Sequence, residues 1–283
     1  MNWTRQRYQW RIRDTEIPLG ARTLITGILD VNQFLRETGR PERDETLRAA
    51  QQMEEQGASL VDVTAQGDPI ETAVISSDTE LRRLVPVLRK LRHNLAVPIC
   101  VTTCHAATAE RAIELGAAII HDFSGLAFDP QLAPVVNRAG AGLVIGHTRG
   151  MPETWNKLGP ASNLIEAVAR DLDASIARAR AAGIDRRHIV IDPGFNMGKR
   201  GPENYQILRN LEMLVELGQP LQVSPSRKPF LVESVRAPES ERLFATAAAA
   251  AISAAQGAHL LRVHEINEIA LVVKAVDRML DSV

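Results

Sequence analysis

The chain of 283 residues has only two cysteines, Cys100 and Cys104, so a disulfide framework is excluded and both are expected as reduced thiols. Long hydrophobic runs are missing. The longest apolar stretch, ATAAAAAISAA, is too short and too rich in alanine to cross a bilayer. The opening residues, MNWTRQRYQW, lack the apolar core of a secretory signal. An excess of one charge is missing too: 33 Lys and Arg stand against 34 Asp and Glu, a net charge of −1 with no block of like sign. Nucleic acid and anionic membranes are therefore not expected as partners, and a cytoplasmic location is. No composition shift or low-complexity tract divides the chain, so one domain over residues 1–283 is expected.

What is present is a rhythm. After a segment that predicts a hairpin over about residues 6–20 (YQWRIRDTEIPLG), short aliphatic runs alternate with amphipathic stretches. The runs are TLITGILDV, SLVDVTA, VPICVTTC, AIIHDFSG, GLVIGHTRG, HIVIDPG, LQVSPSRK and HLLRVHE. They lack polar–apolar alternation, as expected of parallel strands covered on both faces. Helical patterns lie between them, among them SDTELRRLVPVLRKL, opened by a capping box from Ser77 to Glu80, and ENYQILRNLEMLVELG. Gly57, Gly116, Gly140, Gly183, Gly218 and Gly257 end several of these just before the next run, where a helix C-cap needs a left-handed residue. Eight strand–helix units in a chain somewhat above ~250 residues predict an α/β fold, a (β/α)8 TIM barrel. The rival, a doubly wound open sheet, wants a glycine-rich dinucleotide turn after its first strand, and LDVNQF stands there instead.

In such a barrel the chemistry lies at the C-terminal ends of the strands. Those ends carry Asp30, Asp62, Thr102 with Thr103 and Cys104, His121 with Asp122, His147, Asp192, Ser226-Arg227-Lys228, and Arg262 with His264. Any single one has a plain alternative as a helix cap or a partner for loop amides. A ring with so many ionisable types points instead to a binding mouth. Arg227, Lys228, Arg262 and His264 follow the seventh and eighth runs, the usual phosphate site of the fold, so an anionic group is expected there. Asp192, delivered into the Pro193-Gly194 turn on the opposite arc, can accept two N–H bonds from an amidine-like heterocycle edge. Cys104, His121 and His147 leave a transition-metal site open as a lesser alternative.

These residues carry a family likeness. GILDV, GASLVDV, DPGFNMGK, PSRKPF and LRVHE, in that order, together with FDPQLAPVVNRAGAGLVIGHTRGMPETW, resemble the dihydropteroate synthases over nearly the whole chain. The resemblance implies a transferase of folate biosynthesis that joins p-aminobenzoate to 6-hydroxymethyl-7,8-dihydropterin diphosphate and releases diphosphate with the help of Mg2+. It implies that Asp192 holds the amino-pyrimidine edge of the pterin and that Lys228 contacts the pterin ring beside the aminobenzoate. Arg262 and His264, with Lys228, would grip the diphosphate, and Ser226 would reach the benzoate carboxylate, with Arg227 on the same side. It also implies a homodimer built through the last helices.

Several positions depart from the family's pattern. The first loop, Asn-Val-Thr-Pro-Asp-Ser-Phe-Ser-Asp-Gly-Gly in the family, is DVNQFLRETGRP here, so Asp30 replaces the metal-side asparagine; its hard carboxylate oxygen suits Mg2+. The second, Gly-Gly-Glu-Ser-Thr-Arg-Pro-Gly, is TAQGDPIE, which loses the arginine and sets Asp68 close to the expected anion. Thr102 and His121 replace a pterin-binding aspartate and asparagine, and Met197 takes the place of an aromatic residue. Each buried ligand group left unpaired would cost about 1–3 kcal/mol. Two readings stand. One is an atypical synthase-like enzyme whose ordinary activity is weak or lost; the other is a non-catalytic paralogue that keeps the barrel and an anion site as a binding or scaffold protein.

Overall fold

The computed structural model of the protein describes residues 5–67, 73–233, 238 and 241–281. Two antiparallel strands, β1 (Tyr8–Ile12) and β2 (Thr15–Leu19), form the expected hairpin. The repeating units follow: β3 (Leu24–Asp30) and α1 (Arg43–Glu55), β4 (Leu60–Thr64) and α2 (Ser77–Leu91), β5 (Ile99–Thr102) and α3 (Ala106–Glu114). Then come β6 (Ile119–Asp122) and α4 (Leu132–Ala139), β7 (Gly142–Gly146) and α5 (Leu164–Ala181), and β8 (Ile189–Asp192) with α6 (Gly201–Arg209) and α7 (Glu212–Val215). The last units are β9 (Gln222–Val223) with α8 (Pro229–Glu233) and α9 (Arg242–Ala255), then β10 (Leu260–Val263) with α10 (Ile266–Asp281).

The eight strands after the hairpin pair in parallel in the order β8-β7-β6-β5-β4-β3-β10-β9, and a bridge from Ile191 to Leu221 joins the two ends. This is the (β/α)8 barrel that the rhythm predicts. All six glycines named as helix ends have positive φ, from 58° at Gly140 to 105° at Gly116. Two local expectations differ. The cap of α2 is Ser76, whose hydroxyl accepts from the Thr79 amide. Glu80 is buried and accepts a 2.6 Å bond from Thr103, so it serves the barrel wall and not a capping box. The pattern over ENYQILRNLEMLVELG divides into α6 and α7 at Asn210, whose side-chain amide turns back to the Gln206 carbonyl.

Side chains two apart on a strand share a face, and this sets the anatomy. Outward residues such as Val61, Val63, Val101, Ile145 and Ile191 join the apolar layer beneath the helices. The inward residues nearest the strand starts, Leu24, Leu60, Cys100, Ile119, Val144, Val190 and Leu260, pack with Trp10, Ile12 and Leu19 of the hairpin. The hairpin therefore plugs the floor, and each of those three side chains contributes about 1.5–3 kcal/mol by leaving water. Trp10 also satisfies its indole N–H on the His188 carbonyl at 3.0 Å. Two residues further along the same strands, the inward positions become Asp62, Thr102, His121, Asp192 and Arg262, joined by Gln222 of β9, all buried.

Candidate active site at the barrel mouth

Asp192 is the last residue of β8, and its local sequence explains how it is held. Its Oδ1 accepts the Gly194 amide at 2.8 Å, an Asx turn around Pro193. Gly194 has φ of 64°, and a Cβ there would stand 2.1 Å from the His147 carbonyl oxygen, so only glycine fits the turn. The other oxygen accepts Ser224 Oγ at 2.7 Å and Gln222 Nε2 at 3.2 Å. Lys199 ties the turn to the residue that follows β7: its ammonium reaches the carbonyls of Gly194 (2.5 Å), His147 (3.0 Å) and Met197 (3.4 Å). Burial pushes that ammonium down to about 7, against the pull of Asp192. Burial likewise pushes His147 down to about 4, so its ring is neutral at pH 7; it contacts Asp171 at 3.3 Å.

Across the barrel, Asp62 of β4 is fully buried. Burial alone would raise its carboxyl, but the Arg262 guanidinium, with His121 and Thr102, outweighs that and holds it well below the usual range. Arg262 Nε and Thr102 Oγ1 both bond to Asp62 Oδ2, at 2.5 Å and 2.7 Å. His121 Nδ1 lies 3.3 Å from Thr102 Oγ1 and 3.8 Å from Asp62 Oδ2. The two altered positions and the expected diphosphate arginine thus belong to one network centred on Asp62.

After β9, Arg227 adopts φ of 54°, the left-handed region, in the turn that carries Ser226 and Lys228. Ser226 Oγ lies 2.9 Å from His264 Nδ1 and donates to Glu265 at 3.0 Å, while Arg227 Nε donates to Glu265 at 2.6 Å. Ser226, Arg227 and His264 therefore meet on one side of the mouth, and Lys228 is buried there. Met197 packs with Cys104, Phe123, Phe128, Val74 and Trp155 as an apolar patch on the facing side. Asp30 ends β3 at the mouth, half-buried, with Oδ1 accepting the Asn32 amide at 2.9 Å. Asp68 lies outside the described residues. Asp122 is turned outward, where it caps the amides of Ser124 and Leu126. Among the described residues no three Cys, His, Asp or Glu side chains are grouped to hold a metal ion, and burial, with Asp122 and Glu80 nearby, pushes the Cys104 thiol up.

Thr102, His121, Asp192, Met197, Ser224, Lys228 and Arg262 line one cavity of about 20 Å³, together with Gly146, Phe123 and Phe195. That is room for about one water molecule. Ser224, Gln222 and Glu265 were not singled out from the sequence. Spacing along β9 was the available signal, since Gln222 and Ser224 share the inward face two residues apart.

The pattern of the pterin binding enzyme family matches residues 27–264. The dihydropteroate synthase of Bacillus subtilis is 32% identical over 263 residues, 92% of this chain and 90% of its own length. That of Synechocystis is 31% identical over 92% of this chain and 91% of its own. Among solved structures, Yersinia pestis dihydropteroate synthase in complex with a sulfonamide drug superposes with a TM-score of 0.88 at 29% identity, over 97% of this chain and 100% of that one. The Xanthomonas albilineans enzyme with 4-aminobenzoic acid gives 0.86 at 28% identity, over 97% and 99%. The chain belongs to the pterin-binding enzyme family. Within it, its relatives are the dihydropteroate synthases, transferases of folate biosynthesis.

Proposed function

We propose that this chain is a dihydropteroate synthase-like transferase of weak ordinary activity. It joins p-aminobenzoate to 6-hydroxymethyl-7,8-dihydropterin diphosphate and releases diphosphate. One observation carries the reading: Asp192, Lys228 and Arg262 line a single cavity at the mouth, with Thr102, His121 and Met197 around it. Asp192 accepts the donor edge of the pterin, and Lys228 lies against the ring and beside the aminobenzoate. Arg262, His264 and Lys228 offset the charge that develops on the leaving diphosphate. Ser226 and Arg227 face the benzoate carboxylate, with Met197 against its ring. Asp30 suits Mg2+, a hard ion held through one or two carboxylates plus substrate phosphates, and its half-buried place at the end of β3 fits that use. When bound, the ion would add positive charge beside the diphosphate.

The weakness of the activity rests on two features. Arg262 is already bonded to Asp62, and Thr102 and His121 stand where the family has a pterin-binding aspartate and asparagine. The same features favour the second reading, a non-catalytic paralogue holding another anionic ligand. We place the protein in the cytoplasm as a homodimer. Phe244 and Ile252 on α9 and Leu271 and Met279 on α10 are exposed apolar side chains on helices that pack together, a surface a second copy would cover. Among the described residues no helix is long and apolar enough to cross a membrane. Calorimetric titration with the pterin diphosphate and Mg2+, followed by p-aminobenzoate and a diphosphate-release assay, tests the proposal. Binding with slow release is expected; neither binding nor release would leave the paralogue reading.

A further inference from the structure

Asp62 is wholly buried against the Arg262 guanidinium, so it is an ionised carboxylate and can only accept hydrogen bonds. Thr102, 2.7 Å away, must therefore donate its hydroxyl proton to Asp62 Oδ2. The Thr102 oxygen is left with lone pairs alone, and His121 Nδ1 faces it at 3.3 Å. A bond between the two requires the proton to sit on Nδ1. Asp62 Oδ2, 3.8 Å from the same nitrogen, favours that placement as well. A neutral imidazole carries one N–H, so Nε2 then holds a lone pair.

The His121 ring borders the cavity at the mouth, and among the described residues its Nε2 has no hydrogen-bond partner. Asp192 borders the same cavity two strands away. Between them, β7 contributes Gly146, which adds no side chain at that level. Strands β6 and β8 lie about 10 Å apart at two strand spacings, a gap that a planar ring reached from both sides can bridge. Two acceptors, a carboxylate and an imidazole nitrogen, thus face one space.

We propose that His121 is a specificity-determining acceptor: the Asp62–Thr102–His121 chain locks it in the Nδ1–H form and presents Nε2 to the cavity, where with Asp192 it selects a heterocycle bearing N–H donors on two sides. The ligand class rests on the pterin-transferase reading above; the tautomer does not. A ring that offers lone pairs where these acceptors stand meets only repulsion. Thr102 cannot compensate, because its proton is committed to Asp62.

The test uses the full chain labelled with 15N-histidine. The His121 ring is assigned as the signal missing from His121→Gln. At neutral pH, Nδ1 is expected as a protonated, pyrrole-type nitrogen and Nε2 as an unprotonated, pyridine-type one. In Thr102→Val, which removes the intermediary oxygen, the ring is expected to revert to the Nε2–H form or to an exchange average. Calorimetry with 6-hydroxymethyl-7,8-dihydropterin diphosphate and Mg2+ should then show roughly tenfold weaker binding for His121→Phe, as for the loss of one buried hydrogen bond. His121→Gln, which keeps an acceptor, should retain most of the affinity, and thermal melts of both variants separate lost binding from lost folding. An Nε2–H ring in the unmodified protein, or a ring protonated on both nitrogens, would overturn the lock. A locked ring with unchanged affinity in a folded His121→Phe would overturn its role as acceptor. A locked ring in a protein that binds no pterin diphosphate would instead overturn the ligand class, and with it the reading on which that class rests.

Discussion

The two ends of the barrel are made by the same strands and behave as different materials. At the floor, Leu60, Cys100, Ile119, Val190 and Leu260 close over the hairpin's Trp10, Ile12 and Leu19 as an apolar layer. Two residues on, β4, β5, β6, β8 and β10 present Asp62, Thr102, His121, Asp192 and Arg262 to one another. Both layers are buried, so burial does not distinguish them. What differs is the currency of cohesion: the floor coheres by area removed from water, the mouth by hydrogen bonds and charge pairs that fail badly when one member is missing. Two histidines show the contrast. His259, near the floor, accepts the Leu221 amide on Nδ1 at 3.1 Å and offers Nε2 to the Gln6 carbonyl at 2.8 Å, so both ring nitrogens are consumed internally. Among the described residues, His121, at the mouth, has protein partners on Nδ1 only.

Breaking the charge pair should have the largest effect. Asp62→Asn keeps the shape of the side chain and replaces the carboxylate bonded to Arg262 Nε by a neutral amide. A loss of about 3–5 kcal/mol is expected, read as a shift of the denaturant midpoint at constant slope. A loss below about 1 kcal/mol would mean that the pair is not buried as described. Trp10→Ala attacks the floor and should cost a comparable ~3 kcal/mol by opening a cavity. The two variants are separated by binding. With pterin diphosphate and Mg2+, Trp10→Ala should keep the affinity of the unaltered chain at temperatures where it is folded, and Asp62→Asn should not.

A smaller effect distinguishes the ends by pH. Burial pushes His259 down to about 4 from an ordinary 6.5. Between those values the unfolded chain binds a proton that the folded chain refuses, so stability must fall as the pH drops from about 6.5 to about 4 and is flat with respect to this group above that window. The neutral form is required because Nδ1 accepts an amide N–H. Over that window the group should account for about 3 kcal/mol, and His259→Gln, which supplies an acceptor and a donor without titrating, should remove that share of the slope. His147, pushed down to about 4 by burial, adds a slope of the same sign, so the difference between the two proteins is the quantity to measure. An unchanged difference from pH 7 to pH 4 would show that His259 does not titrate with folding.

Much of the floor and frame was legible in the sequence, because periodicity and glycine placement are local. The eight aliphatic runs, the six helix-ending glycines and the Asp192-Pro193-Gly194 turn each report a backbone requirement that neighbouring residues carry. Ser77 and Glu80 misled for the opposite reason: the spacing fits a capping box, but Thr103, distant in sequence, claims the Glu80 carboxylate inside the wall. At the mouth, period-two spacing shows which residues face inward and is silent about partners across the barrel. Asp62 and Arg262, 200 residues apart, are joined only by closure of the ring. The substitutions at Thr102 and His121 were visible as isolated departures, and the geometry makes them one unit because both turn to Asp62.

The smallest effect concerns Ser224, whose hydroxyl occupies one oxygen of Asp192 at 2.7 Å. Ser224→Ala removes that donor and leaves Gln222 Nε2, at 3.2 Å, as the donor remaining on Oδ2. Losing one buried hydrogen bond should cost about 1 kcal/mol of stability. Binding should move the other way. A ligand N–H that reaches Oδ2 in the variant no longer competes with the serine, and the missing hydroxyl slightly widens a cavity of about 20 Å³. A modest gain in affinity for pterin diphosphate, roughly threefold, alongside lower stability is therefore expected, as for an acceptor released from one hydrogen bond. A stability loss without that gain would mean that Asp192 serves the wall and not the ligand, which would place it with the floor.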